Sequence, residues 1–131
     1  MKRVLFMQII FVLIPMLLFA QSQESFDDVS KFHEGLAAVK KGSQWGFINE
    51  EGNIAIGFRD DLVLTKTEEG MYPIFKNGRC LISESKNDIP YFGYINKNGE
   101  TVIEPQFLKA LNFNNNVAFA LKLITDVIGT N

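Results

Sequence analysis

The residues able to do chemistry in this 131-residue chain are few and poorly spaced for it. His33 is the only histidine, and Glu34 stands beside it. An imidazole next to a carboxylate is half of a general base. The run Phe32-His33-Glu34-Gly35, however, reads as a turn between strands, where an exposed His and acid are ordinary. Cys80 is the only cysteine. A thiolate nucleophile needs a neighbouring base, and the single imidazole is far away in sequence. In the run Arg79-Cys80-Leu81-Ile82 the thiol therefore reads as a small buried hydrophobe. One His and one Cys also fall short of the three or four ligands of a zinc site.

The carboxylates give no stronger signal. Asp27-Asp28 and Asp60-Asp61 are adjacent pairs. Neighbouring residues of a strand point to opposite faces, so neither pair makes a dyad. Both read as solvated acids. Asn49-Glu50-Glu51-Gly52 and Asn96-Lys97-Asn98-Gly99 suggest a calcium loop, but the second has no carboxylate before Glu100. A calcium loop needs several acidic ligands in order. The expectation is a non-enzymatic chain with no catalytic residue, no cofactor and no metal.

The aromatic residues offer stacking chemistry. Twelve Phe are present, three of them in the first twenty residues, together with Trp45. Their recurrence at equivalent positions points to a core rather than a sugar-binding face. Tyr72, Tyr91 and Tyr94 read as the better surface aromatics, because each carries a polar end.

Those residues must be held by strands. Trp45-Gly46-Phe47-Ile48-Asn49, two residues, Gly52 and Asn53-Ile54-Ala55-Ile56 read as strand, turn, strand. Trp45 and Phe47 share one face, and Ile54 and Ile56 are expected to face the core on the return. Gly46 inside a strand marks a close approach, here expected from an aromatic ring of a neighbouring strand. A copy follows 47 positions on, from Phe92-Gly93-Tyr94-Ile95-Asn96 through Gly99 to Thr101-Val102-Ile103. Gly52 and Gly99 fill the left-handed position that ends such a turn.

A second phrase also repeats. Phe32-His33-Glu34-Gly35 returns as Phe75-Lys76-Asn77-Gly78 and again as Phe113-Asn114-Asn115-Asn116. Asn tolerates positive φ better than other non-Gly residues, so one backbone conformation is expected at Gly35, Gly78 and Asn116. Residues 58–61 read as a break, 62–66 as a weak strand and 67–70 as a turn. Residues 84–90 read as a long loop. Pro105 is expected to end its strand, since it has no N–H to donate. Residues 108–111 read as one short turn. No stretch after residue 20 keeps a helical period over ten residues. A repeat of roughly 40 residues giving about three strands implies units that stack to share a core.

Taken together these phrases resemble the WG-repeat family of bacterial proteins. The likeness is good over 32–56, departs over 75–107, where Phe92 replaces the signature Trp, and covers only the start of a unit at 113–122. It implies an all-β fold of antiparallel meanders, with Gly35, Trp45, Gly46, Gly52, Gly78, Phe92, Gly93 and Gly99 as structural signature residues. It implies little about activity. The third unit stops early, so the chain reads either as a truncated frame or as an array closed by an irregular strand over 123–128, with residues 128–130 as the stub of another strand.

The first twenty residues differ from the rest. Lys2 and Arg3 precede an apolar run over 4–19, broken only by Gln8 and Pro15, and Ala20 offers a small residue for cleavage. That is the order of an export signal; a retained membrane anchor is the alternative, disfavoured by the short run and its proline. The expected domains are a signal helix over 1–20, a linker over 21–25 and the repeat domain over 26–131. Removing residues 1–20 takes two of the 13 Lys and Arg and none of the 15 Asp and Glu, so the net charge falls from −2 to −4. A mildly acidic chain argues against a nucleic-acid partner. The expected role is a secreted binding or scaffold module for a protein or cell-surface component, touching the membrane only through its export signal. The alternative is a truncated fragment of a longer secreted repeat protein, or of an enzyme or inhibitor, whose active part lies elsewhere.

Overall fold

The computed structural model describes residues 25–126 and 128–129. The expected export signal over 1–20, nearly all of the expected linker and Thr130 of the expected terminal stub lie outside them. The described chain is all-β, every strand pair is antiparallel, and the described residues include no helix.

The first unit is a four-stranded meander. It comprises β1 (Asp28–His33), β2 (Leu36–Lys41), β3 (Gln44–Ile48) and β4 (Ile54–Arg59), in the order β1-β2-β3-β4. Leu36, Ala37, Ala38 and Val39 are all buried, so β2 is covered on both faces. The small alanines allow that, because the neighbouring layers approach closely. Two-residue turns join β1 to β2 and β2 to β3.

The second unit repeats this plan with an insertion. β7 (Cys80–Lys86), β8 (Ile89–Ile95) and β9 (Thr101–Phe107) form the meander. Leu62 bridges Ile82, as Val29 pairs with Val39 in unit one. Two residues separate Val29 from Phe32, but twelve separate Leu62 from Phe75. The ten extra residues accommodate the hairpin of β5 (Thr65–Thr67) and β6 (Gly70–Tyr72). The register locates the insertion at a bulge. In unit one the β1–β2 pairing slips between Val29 and Phe32, and the Ser30 hydroxyl fills the gap by accepting from the Ala38 amide at 2.8 Å. A bulge tolerates extra residues because its ladder is already interrupted. The third unit contributes β10 (Lys109–Ala110) paired with β11 (Ala120–Leu121).

Units one and two share one core. Leu36, Ala38, Trp45, Phe47 and Ile56 of the first join Leu62, Tyr72, Ile74, Phe75, Cys80, Ile82 and Ile95 of the second. Ring pairs stitch the units in series. Phe47 meets Phe75 edge-on with centroids 4.8 Å apart, and Tyr94 meets Phe113 in the same way at 4.9 Å. Phe47 and Tyr94 are equivalent, as are Phe75 and Phe113. The phrase Phe of each later unit therefore packs on the signature strand of the unit before it.

Several expectations change. Residues 84–90 are not a long loop: β7 and β8 pair from Cys80↔Ile95 to Lys86↔Ile89, leaving only Asn87-Asp88 as the turn. Both take positive φ, 53° and 63°, which lets the hairpin close in two residues. Pro105 does not end β9. The β8–β9 register jumps from Phe92↔Phe107 to Tyr94↔Ile103, and Pro105 lies inside that bulge. The ladder there needs no N–H, so the ring is buried without cost to pairing. β4 runs through Phe58 to Arg59 because Arg59 pairs with Trp45 across a similar jump. The weak strand expected over 62–66 is a single bridge at Leu62 followed by β5. Residues 108–111 hold β10 instead of a lone turn. Ile54 is 42% exposed although Ile56 is buried, since a second slip between Phe47 and Ile48 rotates it off the core. Residues 122–126 form no strand.

Candidate functional site

Three turns lie in register along one edge, and they carry the residues that the sequence singles out. Glu34-Gly35, Asn77-Gly78 and Asn115-Asn116 each have two positive φ angles: 53° and 83°, 50° and 75°, 50° and 61°. Two left-handed central residues define a type I′ turn, whose twist matches the flanking strands. The expected shared conformation at Gly35, Gly78 and Asn116 is thus observed, and it extends to the residue before each. His33↔Leu36, Lys76↔Arg79 and Asn114↔Val117 close the three turns.

The side chain at the first turn position reaches the next turn. The Glu34 carboxylate accepts from the Asn77 amide at 2.6 Å and the Gly78 amide at 2.7 Å. Asn77 Oδ1 accepts from the Asn116 amide at 3.0 Å. Lys97, from the turn after β8, donates to the Glu34 carbonyl at 2.5 Å and lies 3.8 Å from its carboxylate. Glu34 is therefore engaged as a strut, not as the partner of a catalytic imidazole. His33 sits half-buried beside an open depression of about 360 Å³ that Lys31, Lys76, Glu69 and Asn112 also line.

The other turn series is built by asparagine. Asn49 Oδ1 accepts from the Asn53 amide at 2.9 Å, and Asn96 Oδ1 from the Asn98 and Glu100 amides at 3.0 Å. Gly52 and Gly99 donate back to Asn49 and Asn96 carbonyls at 3.0 Å and hold φ at 83° and 80°. The Asn-x-x-Gly oxygens are consumed by the turn itself. Gly46 and Gly93 serve a closer approach, but no ring lies over them. A Cβ on Gly46 would stand 2.8 Å from the Ile56 carbonyl oxygen, and one on Gly93 would overlap the Ile103 carbonyl and the Pro105 nitrogen. The bulged return strand, not an aromatic, occupies that space.

The acids separate. Asp27 Oδ2 accepts from the Gly42 amide at 2.7 Å, whereas Asp28 Oδ1 accepts from the Tyr72 hydroxyl at 3.1 Å. Asp61 holds Arg59 through both carboxylate oxygens, at 2.5 and 2.7 Å. That pair raises the guanidinium above its ordinary value. Arg59 also donates to the Gly99 carbonyl at 3.0 Å, tying unit one to the turn of unit two. Asp60, Asp61, Glu84 and Glu104 line an open depression of about 410 Å³ with Ser83 and Thr101. Cys80 is buried, and burial pushes its thiol up to about 12. A thiol held protonated there is no nucleophile at neutral pH.

Trp45 is buried, edge-on to Tyr72 with centroids 5.7 Å apart, and Lys40 Nζ stands 5.9 Å from its ring centre. Tyr72 and Tyr94 are not surface aromatics. Each has a buried ring whose hydroxyl reaches a partner at the edge of the core, Tyr72 on Asp28 and Tyr94 on the Leu111 carbonyl at 2.7 Å. Burial also raises the Tyr94 phenol. Tyr91 stays half-buried, with Lys86 Nζ 5.5 Å from its ring centre. Phe92 occupies the signature Trp position, half-buried. Asn77 and Lys97 were missed as working residues. Aligning Asn77 with Glu34 in the repeat exposes the first; the reach of Lys97 and Arg59 to the backbone carbonyls of Glu34 and Gly99 in another unit has no such signal.

Residues 25–45, 45–80 and 92–122 match the family described as WG containing repeat. The chain belongs to that family. The matches are offset from the meanders: the first covers β1 and β2, the second runs from Trp45 of β3 to the start of β7, and the third from β8 to β11. No curated protein and no solved structure matches this WG-repeat chain.

Proposed function

We propose that this WG-repeat chain is exported and acts as a non-enzymatic binding or scaffold module, presenting loops and sheet edges to a protein or cell-surface component. One observation carries the reading: the polar side chains nearest to chemistry are spent as struts. Glu34 caps the next turn, Asp61 clamps Arg59, and Asp28 anchors Tyr72. Such bonding fixes one unit against the next, and a rigid stack is what a recognition surface needs to limit the ordering cost of association. Outer strands supply unpaired backbone groups for strand addition. Export is supported by the order of residues 1–20.

The test has two parts. N-terminal sequencing of the chain recovered outside the cytoplasm is expected to begin at Gln21. Cross-linking of that chain on intact cells is expected to capture one saturable partner. A catalytic activity of the purified chain that disappears in His33→Ala or Asp60→Asn, with the fold intact, overturns the reading.

A further inference from the structure

The tripeptide Lys-Asn-Gly occurs twice, as Lys76-Asn77-Gly78 and as Lys97-Asn98-Gly99. An asparagine followed by glycine can close on itself. The glycine nitrogen attacks the asparagine Cγ, and no Cβ on the glycine obstructs the approach. A Cγ–N bond forms, the Cγ–Nδ2 bond breaks, and ammonia leaves carrying the glycine amide proton. Water then opens the succinimide at one carbonyl or the other, giving aspartate or isoaspartate. Water is the only co-reactant. The local sequence is the same at both sites, and both asparagines are exposed with a half-buried glycine after them. Only the fold distinguishes them.

At Asn77 the fold holds both groups that ring closure needs. The Gly78 amide donates to the Glu34 carboxylate at 2.7 Å, and Asn77 Oδ1 accepts from the Asn116 amide at 3.0 Å. Closure has to pull both off their partners in other units. The Glu34 carboxylate also opposes ionisation of the amide it touches, a like-charge effect. Arg79 works the other way by donating to the Asn77 carbonyl, but at 3.3 Å and not to the reacting nitrogen. At Asn98 the side chain takes no hydrogen bond among the described residues, and the Gly99 amide donates to the neutral Asn96 carbonyl at 3.0 Å. A cation rather than an anion stands nearby, with Arg59 donating to the Gly99 carbonyl at 3.0 Å. We infer that Asn98–Gly99 is a site of spontaneous succinimide formation and isoaspartate conversion, and that the Glu34 strut shields Asn77–Gly78 from the same reaction.

The product bears on how the units are joined. The position equivalent to Asn98 in unit one holds Glu51. An acid therefore fits this turn, and aspartate leaves it intact. Isoaspartate does not, because it adds a methylene to the backbone just before Gly99. That displaces the Gly99 amide from Asn96 and its carbonyl from Arg59. The reaction is a slow, one-way release of the tie between units one and two. It needs only water, so it stands apart from the exported binding role.

The test incubates the chain, as recovered from the expressing cell, in neutral buffer and samples it over weeks. Peptide mass mapping reads the exchange of NH2 for OH at residues 77 and 98 separately, and an isoaspartyl methyltransferase labels the isoaspartate. Asn98 is expected to convert about tenfold or more faster than Asn77, because its closure breaks no bond to a charged group. In strong denaturant the two rates are expected to converge. Glu34→Ala is expected to raise the Asn77 rate severalfold and to leave the Asn98 rate nearly unchanged. Asn98→Glu, which copies unit one, is expected to fold like the parent chain and to lose conversion at that position. The isoaspartate fraction, separated by chromatography, is expected to unfold at a lower denaturant concentration than Asn98→Glu. Equal rates at the two sites of the folded chain, or a faster Asn77, overturn the inference. So does a rate ratio that denaturant leaves unchanged, which would place the difference in the sequence. So does an Asn77 rate that Glu34→Ala does not move. An isoaspartate fraction as stable as Asn98→Glu overturns the release of the joint.

Discussion

At the scale of single residues, two glycines do different work from the rest. Gly46 and Gly93 need no positive φ; they need the absence of a Cβ. The overlap is with backbone, which cannot rotate away as a side chain can. Gly93→Ala is therefore expected to cost about 2–3 kcal/mol in denaturant unfolding, in the range of overpacked sites. Gly46→Ala is expected to cost less, since its nearest atom stands 2.8 Å from the built Cβ, and Gly46→Val more than Gly46→Ala. Glu50→Ala, at an exposed turn position, is expected to be silent. Equal midpoints for Gly93→Ala and the parent chain would show that the bulge does not press on the strand. The need for glycine was legible in the sequence; what presses on it was not, because the bulge that brings β4 or β9 so close depends on pairing register. Cys80 gives a second residue-scale expectation. Its folded value, about 12, lies above that of an unfolded thiol near 8.5. Between those two values the unfolded state holds fewer protons, so stability falls as pH rises through that window and is fully present below it. The slope from this one group approaches about 1.4 kcal/mol per pH unit. Cys80→Ala is expected to flatten stability against pH above about 9, whatever it does at neutrality. An unchanged slope would mean the thiol is not held protonated by burial.

At the scale of elements, Glu34 tests the strut. Glu34→Ala removes the acceptor for the Asn77 and Gly78 amides, and the expected loss is about 1 kcal/mol, because the site is exposed. The specific readout is hydrogen exchange: the amides of Asn77 and Gly78 should exchange faster, and those of Asn98 and Glu100, capped by Asn96, should not. Uniform acceleration across both turns would point to general loosening rather than a strut. The turn itself was visible in the phrase Phe-x-x-Gly, and its Asn variant at 116 was read correctly as the same conformation. The reach from one turn to the next was not visible. It joins residues 43 positions apart, and nothing local in the sequence specifies it. Proline and loop composition misled for a related reason. Asn87-Asp88 looks like loop material but makes a two-residue turn, and Pro105 looks like a stop but sits in a bulge where no amide is wanted. Local propensity loses to register wherever pairing on both sides fixes the strand.

At the scale of the whole molecule, the meander repeat and its apolar strands were legible because alternation and turn glycines are short-range signals. The serial packing was not: Phe47 on Phe75 and Tyr94 on Phe113 follow from the stacking of units, as does the ten-residue insertion that unit two carries at the position of the unit-one bulge. That arrangement divides stability unevenly. Units one and two bury a common cluster that runs from Leu36 to Ile95, so neither keeps its core when the other opens. Unit three is joined by Phe113, by the Tyr94 hydroxyl on Leu111 and by the Asn77 rung, while Val117, Phe119 and Leu121 remain exposed. Stability in a stacked array is a sum of unit and interface contributions, so a unit with one thin interface opens first. Native-state hydrogen exchange is expected to give β2, β3, β7 and β8 one shared opening free energy equal to that of global unfolding. The β10–β11 hairpin is expected to open at a distinctly lower value, and Tyr94→Phe, which removes the Leu111 anchor, to lower that value alone. Separate openings for β2 and β7 would refute the shared core. Protection of β10–β11 at the global level in dilute solution would refute the thin interface of unit three.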